Sequence, residues 1–454
     1  PKVSANDSIV AAATPAGESA LAVVRVSGTL CSCLVESALG VPCPTPRRAY
    51  LSGYRDLDEA LLDEVIFVFY DEGKSYTGEA SLEISSHGNS LITKKIIEDL
   101  ISRGCRLAEP GEFTRRAFLA GRMDMTQAES VATLIRARSD RALEAARLQL
   151  RGALGKKVSH LQSRLLDLRA SLEAYVDFPE EDLPTENLQG PASSLEALID
   201  DVARLCAGAS YGRLLESGAR CLIVGPPNAG KSSLFNSLCG DDRAIVSEEP
   251  GTTRDYLSSW VEIGSFEVEV IDTAGLREGG SDIERQGIEK TFALAEDADC
   301  FLYVLDSALP SPNVSNDALP SRLTPSNCLV LENKTDLQDS KEIPDFLPDC
   351  IHLRLSLLTN EGLSECLSAL EKVVEKLAPP PSEDGVIVNT RHAEHLETTE
   401  RALCEACRLL LDEGAVELAL SEILVAQEAL GDIVGKTDNE DMLDRLFQSF
   451  CIGK

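Results

Sequence analysis

The sequence has 454 residues, and a chain of this length is expected to form two or three domains because one hydrophobic core does not usually organise so many residues. Its 75 Asp and Glu residues outnumber its 43 Lys and Arg residues, and the net charge of −32 opposes binding to a phosphate backbone unless a local basic patch or a basic partner protein helps. No window holds the roughly eighteen apolar residues of a membrane-spanning helix, and apolar residues 9–13 lack the basic flank of a signal peptide, so we expect a cytoplasmic protein with no membrane span.

The first 120 residues predict a small α+β domain. Residues 20–26 and 64–69 are β-type runs, and residues 91–103 have the pattern of a helix. We therefore place an N-terminal domain at 1–120.

Long helical periodicity, rich in Ala, Leu and Arg, begins at residue 126 and continues to about residue 172. An acidic loop containing prolines follows at 177–191, and helix is expected to resume at Ser194. This segment predicts the first part of a helical domain, at 121–217.

Residues 218–378 alternate β-type runs with helical stretches, which is typical of a doubly wound α/β domain with a parallel sheet. The predicted strands lie at 221–225, 268–272, 300–306 and 327–333. Three consecutive prolines, Pro379 to Pro381, end this domain, and helix dominates the remainder. We therefore expect the α/β domain to be inserted into the helical domain, whose second part is 379–454.

Fourteen cysteines are scattered along the chain without a dense framework, which favours reduced thiols. One group resembles zinc-ligand spacing: His392, His395, Cys404 and Cys407. However, residues 391–411 contain no Gly or Pro and predict one helix, in which His392 and Cys407 would lie roughly 22 Å apart at about 1.5 Å per residue. We do not expect zinc there.

The segment GPPNAGKS, Gly225 to Ser232, fits a phosphate-binding loop between a strand and a helix. Its glycines allow backbone N–H groups and the helix N-terminus to face the β-phosphate. Lys231 would reach the β- and γ-phosphate oxygens, and Ser232 would bind magnesium.

Two further motifs indicate that the nucleotide is GTP. DTAG, Asp272 to Gly275, follows a predicted strand, where an aspartate directed at the metal and a glycine N–H facing the γ-phosphate are needed. NKTD, Asn333 to Asp336, follows another strand and resembles the guanine-reading motif of GTPases, whose aspartate accepts from N1 and the exocyclic amine. Thr253, in GTTRD, lies in the segment expected to close over the γ-phosphate and magnesium. The complete set of predicted GTP-binding residues is Asn228, Ala229, Gly230, Lys231, Ser232, Ser233, Ser247, Thr252, Thr253, Asp272, Thr273, Ala274, Gly275, Asn333, Lys334, Asp336, Ser356, Leu357 and Leu358.

Two positions depart from the usual GTPase pattern. Leu276 stands where small GTPases carry the Gln that orients the attacking water, so the water must be positioned differently. The expected Ser-Ala motif that supports guanine is Ser356 followed by Leu357, which weakens the assignment of Ser356 to Leu358.

The motifs extend over nearly the whole chain and resemble the MnmE (TrmE) family of bacterial and organellar tRNA-modifying GTPases. They are ATPAGESALAVVRVSG, SYTGEASLEISSHGN and EPGEFTRRAFLAGRMDMTQAE in the N-terminal region, ERQGIEK after DTAGLRE, and LFQSFCIGK at the end. The resemblance implies a homodimer that acts with a flavoprotein, MnmG (GidA), in a heterotetramer or larger assembly. The activity implied is addition of an aminomethyl-type group, carboxymethylaminomethyl, to C5 of the tRNA wobble uridine, with tRNA bound mainly through the complex.

The resemblance also implies that a tetrahydrofolate derivative, in the 5,10-methylene or 5-formyl form, supplies the carbon to an N-terminal domain that resembles folate-binding domains. The matching folate-binding residues are Arg25, Glu83, Arg122 and Lys454, with arginine at 122 where lysine is common in the family. We expect this pocket at a dimer interface, because Lys454 would have to reach it from a distant domain. Cys451 matches a cysteine that is essential to the modification, and we include it as a catalytic candidate.

The same resemblance implies that potassium promotes pairing of two G domains. The matching potassium ligands are Asn228, Ser247, Glu249 and Thr252, and the magnesium ligands are Ser232 and Thr253. Glu284 matches the residue that positions the attacking water through a second water.

Two other functions remain open at this point. A ribosome-assembly GTPase usually carries an added RNA-binding module, and no GXXG-type loop or basic, aromatic-rich sheet is evident here. A purely regulatory GTPase would leave the C-terminal CIGK segment unexplained.

Overall fold

The computed structural model describes residues 7–137, 139–177, 188–240, 244–245, 257–273, 294–309, 320–337, 346–377, 386–435, 440–448, 450 and 452–453. The strands in these ranges are β1 (Ile9–Ala12), β2 (Ser19–Ser27), β3 (Ala49–Arg55), β4 (Leu61–Tyr70), β5 (Ser81–Gly88), β6 (Arg106–Leu107), β7 (Ala219–Val224), β8 (Ala244–Ile245), β9 (Leu257–Ile263), β10 (Phe266–Asp272), β11 (Cys300–Asp306), β12 (Cys328–Asn333) and β13 (Ile351–Arg354). The helices are α1 (Cys31–Leu39), α2 (Ser90–Ser102), α3 (Glu112–Leu119), α4 (Met125–Arg136), α5 (Asp140–Leu150), α6 (Ala153–Asp177), α7 (Gln189–Cys206), α8 (Ala209–Ser217), α9 (Lys231–Leu238), α10 (Leu363–Leu377), α11 (Thr390–Arg408), α12 (Val416–Val434) and α13 (Glu440–Gln448).

The chain forms two compact units. Residues 1–135, 150–162 and 430–454 compose the first unit, and residues 136–149 and 163–429 compose the second. This division into two units does not test the predicted domain limits after residues 120, 217 and 378, which stay predictions.

A six-stranded sheet organises the first unit, in the order β3-β4-β5-β2-β1-β6. Neighbouring strands are antiparallel except β1 and β6, which are parallel. Helices α1 and α2 contribute to the core on one face of the sheet, which includes Val24, Leu34, Phe67, Ile84 and Ile96. Because side chains alternate between the two faces of a strand, Arg25 and Glu83 project from the opposite face.

The C-terminal helix α13 packs in the first unit with the region around α3 and α4. Their apolar cluster comprises Met125, Ala128, Leu443, Phe447 and Phe450. Gly111 permits this close packing, because a Cβ there would lie 2.7 Å from the Phe447 carbonyl oxygen. The sequence predicted helix at the C-terminus but did not indicate this partner.

A seven-stranded sheet organises the second unit, in the order β13-β12-β11-β7-β10-β9-β8. Strands β13, β12, β11, β7 and β10 are parallel, and the predicted parallel sheet is thereby confirmed for β12, β11, β7 and β10. The prediction missed β13 at the parallel edge, and it missed β8 and β9, which add an antiparallel edge. Buried clusters cover both faces of the sheet, one containing Leu234 of α9 and Leu370 of α10, the other Phe301 and Phe346. The sheet is therefore doubly wound.

The helical part of the second unit differs from expectation at one boundary. Helix α7 begins at Gln189 rather than at Ser194, so Pro191 lies in its first turn. A proline is tolerated there because the first N–H groups of a helix have no partner within it. From the sequence, Pro191 was expected in the preceding loop.

The helix predicted at 391–411 is confirmed by α11, which ends at Arg408, and Leu409–Glu413 continue it as a π-helix. Asn389 caps this helix by accepting a hydrogen bond from the His392 backbone N–H at 2.8 Å. The His392 ring in turn accepts from the Asn389 backbone N–H at 3.3 Å, so the side chain completes a capping box and is fully buried. In the described ranges, no group of three or more His, Cys, Asp and Glu side chains is placed to hold a metal ion.

Candidate functional site

Residues 225–232 form the turn between β7 and α9, at the carboxyl edge of the seven-stranded sheet. Gly225 has a φ of 140°, and a Cβ there would lie 2.2 Å from the Val304 carbonyl oxygen. Gly230 has a φ of 107°, and its Cβ would lie 2.2 Å from the side-chain amide nitrogen of Asn333. Both positions therefore require glycine. The turn leads into the N-terminus of α9, whose backbone N–H groups favour phosphate oxygens.

The Lys231 side chain is packed into this turn. It is 5% exposed, and its ammonium donates to the Pro226 carbonyl oxygen at 2.8 Å. Ser232 and Ser233 follow in the helix and are exposed. Asn228 has a φ of 60°, a left-handed conformation that asparagine tolerates better than most residues. Its backbone thus accounts for asparagine in the turn, and ion binding by its side chain stays a prediction.

Asp272 and Thr273 lie beside the start of the phosphate-binding turn. Strands β10 and β7 are parallel, and Asp272 pairs with Ile223. The Thr273 hydroxyl donates to the Ile223 carbonyl oxygen at 2.8 Å, and both Asp272 and Thr273 are buried. The sheet thus brings a buried carboxylate to the same edge as Ser232.

Asn333, the first residue of NKTD, links two parts of the site. Its side-chain amide donates to the Ala229 carbonyl oxygen in the phosphate-binding turn at 2.9 Å. Its side-chain oxygen accepts from the Leu357 backbone N–H at 3.3 Å. Asn333 is 3% exposed, so these bonds are shielded from water. One residue therefore holds the turn against the loop that follows β13.

Ser356 orients Asp336, the residue predicted to read guanine. The Ser356 hydroxyl donates to an Asp336 carboxylate oxygen at 2.6 Å and is itself buried. Leu357 packs against the core, whereas Leu358 is 83% exposed. This bond supports the assignment of Ser356 to the guanine-binding site, because the Ser356 hydroxyl fixes the Asp336 carboxylate.

The sequence did not mark Asp306, the buried last residue of β11, as a site residue. Its carboxylate accepts from the Lys334 ammonium at 2.6 Å. The next residue, Ser307, donates from both its hydroxyl and its backbone N–H to the Asn333 carbonyl oxygen. One sequence feature could have identified Asp306: it is an acidic residue at the end of a parallel strand, beside the strand that carries NKTD.

Several predicted site residues lie outside the described residues. They are Ser247, Glu249, Thr252, Thr253, Ala274, Gly275, Glu284, Cys451 and Lys454.

A second cluster of predicted residues lies on the sheet of the first unit. Arg25 of β2 pairs in register with Glu83 of β5. The Arg25 guanidinium donates from Nε at 3.0 Å and from Nη2 at 2.8 Å to one Glu83 carboxylate oxygen. The Tyr70 hydroxyl donates to the other oxygen at 3.3 Å. Burial, followed by the negative charge of Glu83, raises the pKa of Tyr70 and keeps it a donor.

Two aromatic rings face the Arg25 guanidinium. Its carbon lies 5.7 Å from the centre of the Tyr76 ring and 5.8 Å from that of Phe113, within the range of cation–π attraction. The Tyr76 hydroxyl lies 3.0 Å from the Thr114 hydroxyl oxygen. Arg25 is therefore held between a carboxylate and two rings.

The C-terminus of the same chain reaches this cluster. The Gly453 carbonyl oxygen lies 3.5 Å from Arg25 Nη1. A Cβ on Gly453 would lie 2.2 Å from the Ala12 carbonyl oxygen, so the glycine permits a close approach. Gly453 belongs to the same unit as Arg25, so a distant position of the C-terminus is no longer a reason to expect a dimer interface here, and such an interface stays a prediction.

Arg122 contacts a neighbouring loop. Its guanidinium donates to the Gly73 carbonyl oxygen at 3.2 Å, and its Cγ would lie 3.5 Å from a Cβ on Gly78. This loop also carries Tyr76. Arg25 thus contacts Glu83 directly, whereas Arg122 is connected to this pair through the loop that carries Tyr76.

Two sequence families match the chain. The family described as the GTP-binding protein TrmE N-terminus matches residues 8–122, and the MnmE helical domain matches residues 125–451. The tRNA modification GTPase MnmE of Opitutus terrae is 44% identical over 449 residues, which cover 99% of this chain and 99% of that protein. The protein of the same name in Akkermansia muciniphila is 38% identical, with 98% of each chain covered.

Among solved structures, Aquifex aeolicus Era is 25% identical over 40% of this chain and 66% of that chain, with a TM-score of 0.27. The structural overlap with Era is small, so the family assignment depends on the sequence matches. None of the helices within the described ranges is long and apolar enough to cross a bilayer. The sequence matches confirm the predicted fold class, and the chain belongs to the MnmE family of tRNA modification GTPases.

Proposed function

We propose that this chain hydrolyses GTP and, with the flavoprotein MnmG (GidA), adds carboxymethylaminomethyl to C5 of the wobble uridine of certain tRNAs. The observation that carries the proposal is 44% identity, over 99% of the chain, to a protein named a tRNA modification GTPase. The proposal includes a cytoplasmic homodimer that joins the flavoprotein in a heterotetramer or larger assembly.

Reconstitution tests this function. The chain, its flavoprotein partner, GTP, a methylene-tetrahydrofolate, glycine as the source of the carboxymethylamino group and undermodified tRNA should together yield the modified nucleoside, detected by mass spectrometry after digestion. The nucleoside should be lost when the chain or GTP is omitted. Its formation at an undiminished rate without the chain would contradict the proposal.

The nucleotide site supports GTP hydrolysis through positioned charges. The turn at 225–232 offers backbone N–H groups to phosphate oxygens, and Lys231 adds a cation that is already held in place. Asn333 holds this turn against the loop that presents Ser356, which fixes Asp336. The same bonds that organise the phosphate end thus also set the position of the base-reading carboxylate.

The donor atoms at this edge fit magnesium. The exposed Ser232 hydroxyl and the buried Asp272 carboxylate are hard oxygen donors, which magnesium prefers, and Thr253 would complete the protein's contribution. Bound magnesium would neutralise charge on the phosphates. For potassium, we assign the Asn228 amide oxygen together with Ser247, Glu249 and Thr252.

The cluster around Arg25 fits a reduced folate. Its guanidinium can bind an anionic or carbonyl oxygen, the Glu83 carboxylate can accept ring N–H groups, and Tyr76 and Phe113 offer apolar surface for a flat heterocycle. The folate would supply the one-carbon unit. We assign Arg122 and Lys454 to the same pocket and keep Cys451 as a catalytic candidate.

Replacing Arg25 by alanine is expected to weaken binding of 5-formyltetrahydrofolate by roughly 10- to 100-fold, because charge-assisted hydrogen bonds contribute about 1.5–3 kcal/mol. Titration calorimetry measures this affinity. Arg48→Ala is the matched control, since Arg48 also lies over an aromatic ring, Tyr50, at 5.6 Å but is exposed. An unchanged affinity in Arg25→Ala would remove that residue from the pocket.

A further inference from the structure

One segment of this acidic chain carries only positive charge. Residues 145–166 contain five Lys and Arg residues and no Asp or Glu, although Asp and Glu outnumber Lys and Arg by 75 to 43 in the whole sequence. The five are Arg147, Arg151, Lys156, Lys157 and Arg164. Such a local excess is the electrostatic feature that binding to a polyanion requires in a chain of net charge −32.

Not all of these cations are available. Arg147 lies 3.6 Å from Glu144, and Arg164 is paired with Asp201. In contrast, within the described part of the chain, no salt bridge involves Arg151 or Lys156, and both are exposed. We call residues 151–160, which lie in the first unit, the basic turn.

The backbone of the basic turn is held in place. The Gln127 side chain donates to the Leu150 carbonyl oxygen at 2.8 Å. A Cβ on Gly155 would lie 2.3 Å from an Asp124 carboxylate oxygen, so α6 approaches the start of α4 closely. That carboxylate is engaged, because it accepts from the Thr126 hydroxyl at 2.7 Å and the Gln127 backbone N–H at 2.9 Å. The cations thus project from a fixed support.

The composition of the surface favours RNA over a protein partner. Protein interfaces are anchored mainly by buried Trp, Tyr and Arg side chains and are depleted in Lys. The exposed residues of the basic turn are Arg151, Lys156, Ser159 and His160. Among these four, Arg151 is the one residue of an anchoring type and no Trp or Tyr accompanies it, whereas cations and hydroxyls are the side chains that contact phosphate oxygens.

We propose that the basic turn contacts the phosphate backbone of tRNA directly. This inference rests on the proposed function, because it assigns part of the tRNA contact to this chain rather than to the flavoprotein. A few phosphate contacts give weak and salt-dependent binding, as the overall charge predicts.

The test compares two charge-reversed variants of the full chain. Fluorescence anisotropy of labelled tRNA at about 50 mM salt should show binding by the unmodified chain, and Arg151→Glu/Lys156→Glu should weaken it by roughly tenfold or more. The slope of log affinity against log salt should fall in magnitude by nearly 2. Lys94→Glu/Lys95→Glu on α2, also exposed in the first unit, changes the net charge equally and should alter affinity far less.

The other outcomes are also decisive. Equal affinities for the two variants would overturn the proposal, as would a basic-turn variant that keeps tRNA affinity but loses the flavoprotein in a pull-down. Unchanged GTP hydrolysis and folate affinity would show that the variant is folded. If tRNA binding follows the prediction but the reconstituted complex modifies no uridine, the proposed function fails and the contact stands.

Discussion

GTP turnover by this chain is expected to fall by on the order of a thousandfold when potassium is replaced by sodium at matched ionic strength. The reason is that the groups that usually accelerate GTP hydrolysis are missing. Leu276 stands in place of Gln, and no internal arginine finger is evident in the sequence. A cation held by Asn228 against the phosphates would stabilise transition-state charge as an arginine finger does. The readout is the phosphate-release rate at saturating GTP in the two salts.

Glu284→Ala is expected to remove most of this turnover, by roughly 100-fold or more, with GTP affinity nearly unchanged. A residue that positions the attacking water acts in the transition state rather than in ground-state binding. Glu262→Ala is a suitable control, because Glu262 is an exposed carboxylate on β9 of the same sheet.

The dependence of turnover on protein concentration is a third test of this prediction. If pairing of G domains limits the rate, turnover per molecule should rise with concentration in potassium. Equal rates in the two salts would exclude the ion, and a fully active Glu284→Ala would exclude that residue.

The sequence predicted those parts of the nucleotide site that lie in short contiguous motifs. GPPNAGKS and NKTD each lie at the end of a buried strand, so their placement at one edge followed from the parallel sheet. The bonds from Asn333 to Ala229 and from Ser356 to Asp336 could not be predicted, because motif spacing does not fix which side chains meet across loops.

The missed elements have equally specific causes. Strand β9 has the sequence LSSWVEI, whose two serines weaken its β-type signal. The contact between Arg25 and Gly453 joins residues 428 positions apart, and no local pattern encodes it. Arg25 and Glu83 were predicted as site residues only because they match the family. Their pairing across β2 and β5 depends on the register of the two strands, which the sequence did not reveal.

Asp336→Asn is expected to weaken GTP binding by roughly 100- to 1000-fold and to favour xanthosine triphosphate instead. The carboxylate would accept from two guanine N–H groups, and each charge-assisted bond is worth about 1.5–3 kcal/mol. Asparagine replaces one carboxylate oxygen by an NH2 group, which would face the guanine amine unproductively but could donate to the carbonyl oxygen that xanthine carries at that position. Titration with fluorescent GTP and xanthosine triphosphate measures both affinities.

Ser356→Ala should produce a smaller loss of GTP affinity, about tenfold, because it removes the hydroxyl that holds Asp336 at 2.6 Å while leaving the carboxylate in place. Thr359→Ala removes an exposed hydroxyl from the same loop and should leave affinity unchanged. Ser356→Ala should also retain the preference for guanine, since it alters how firmly the acceptor is held and not its chemistry. GTP affinity that survives Asp336→Asn would show that guanine is read elsewhere, and a loss in Thr359→Ala equal to that in Ser356→Ala would show that the loop, rather than the Ser356 bond, matters.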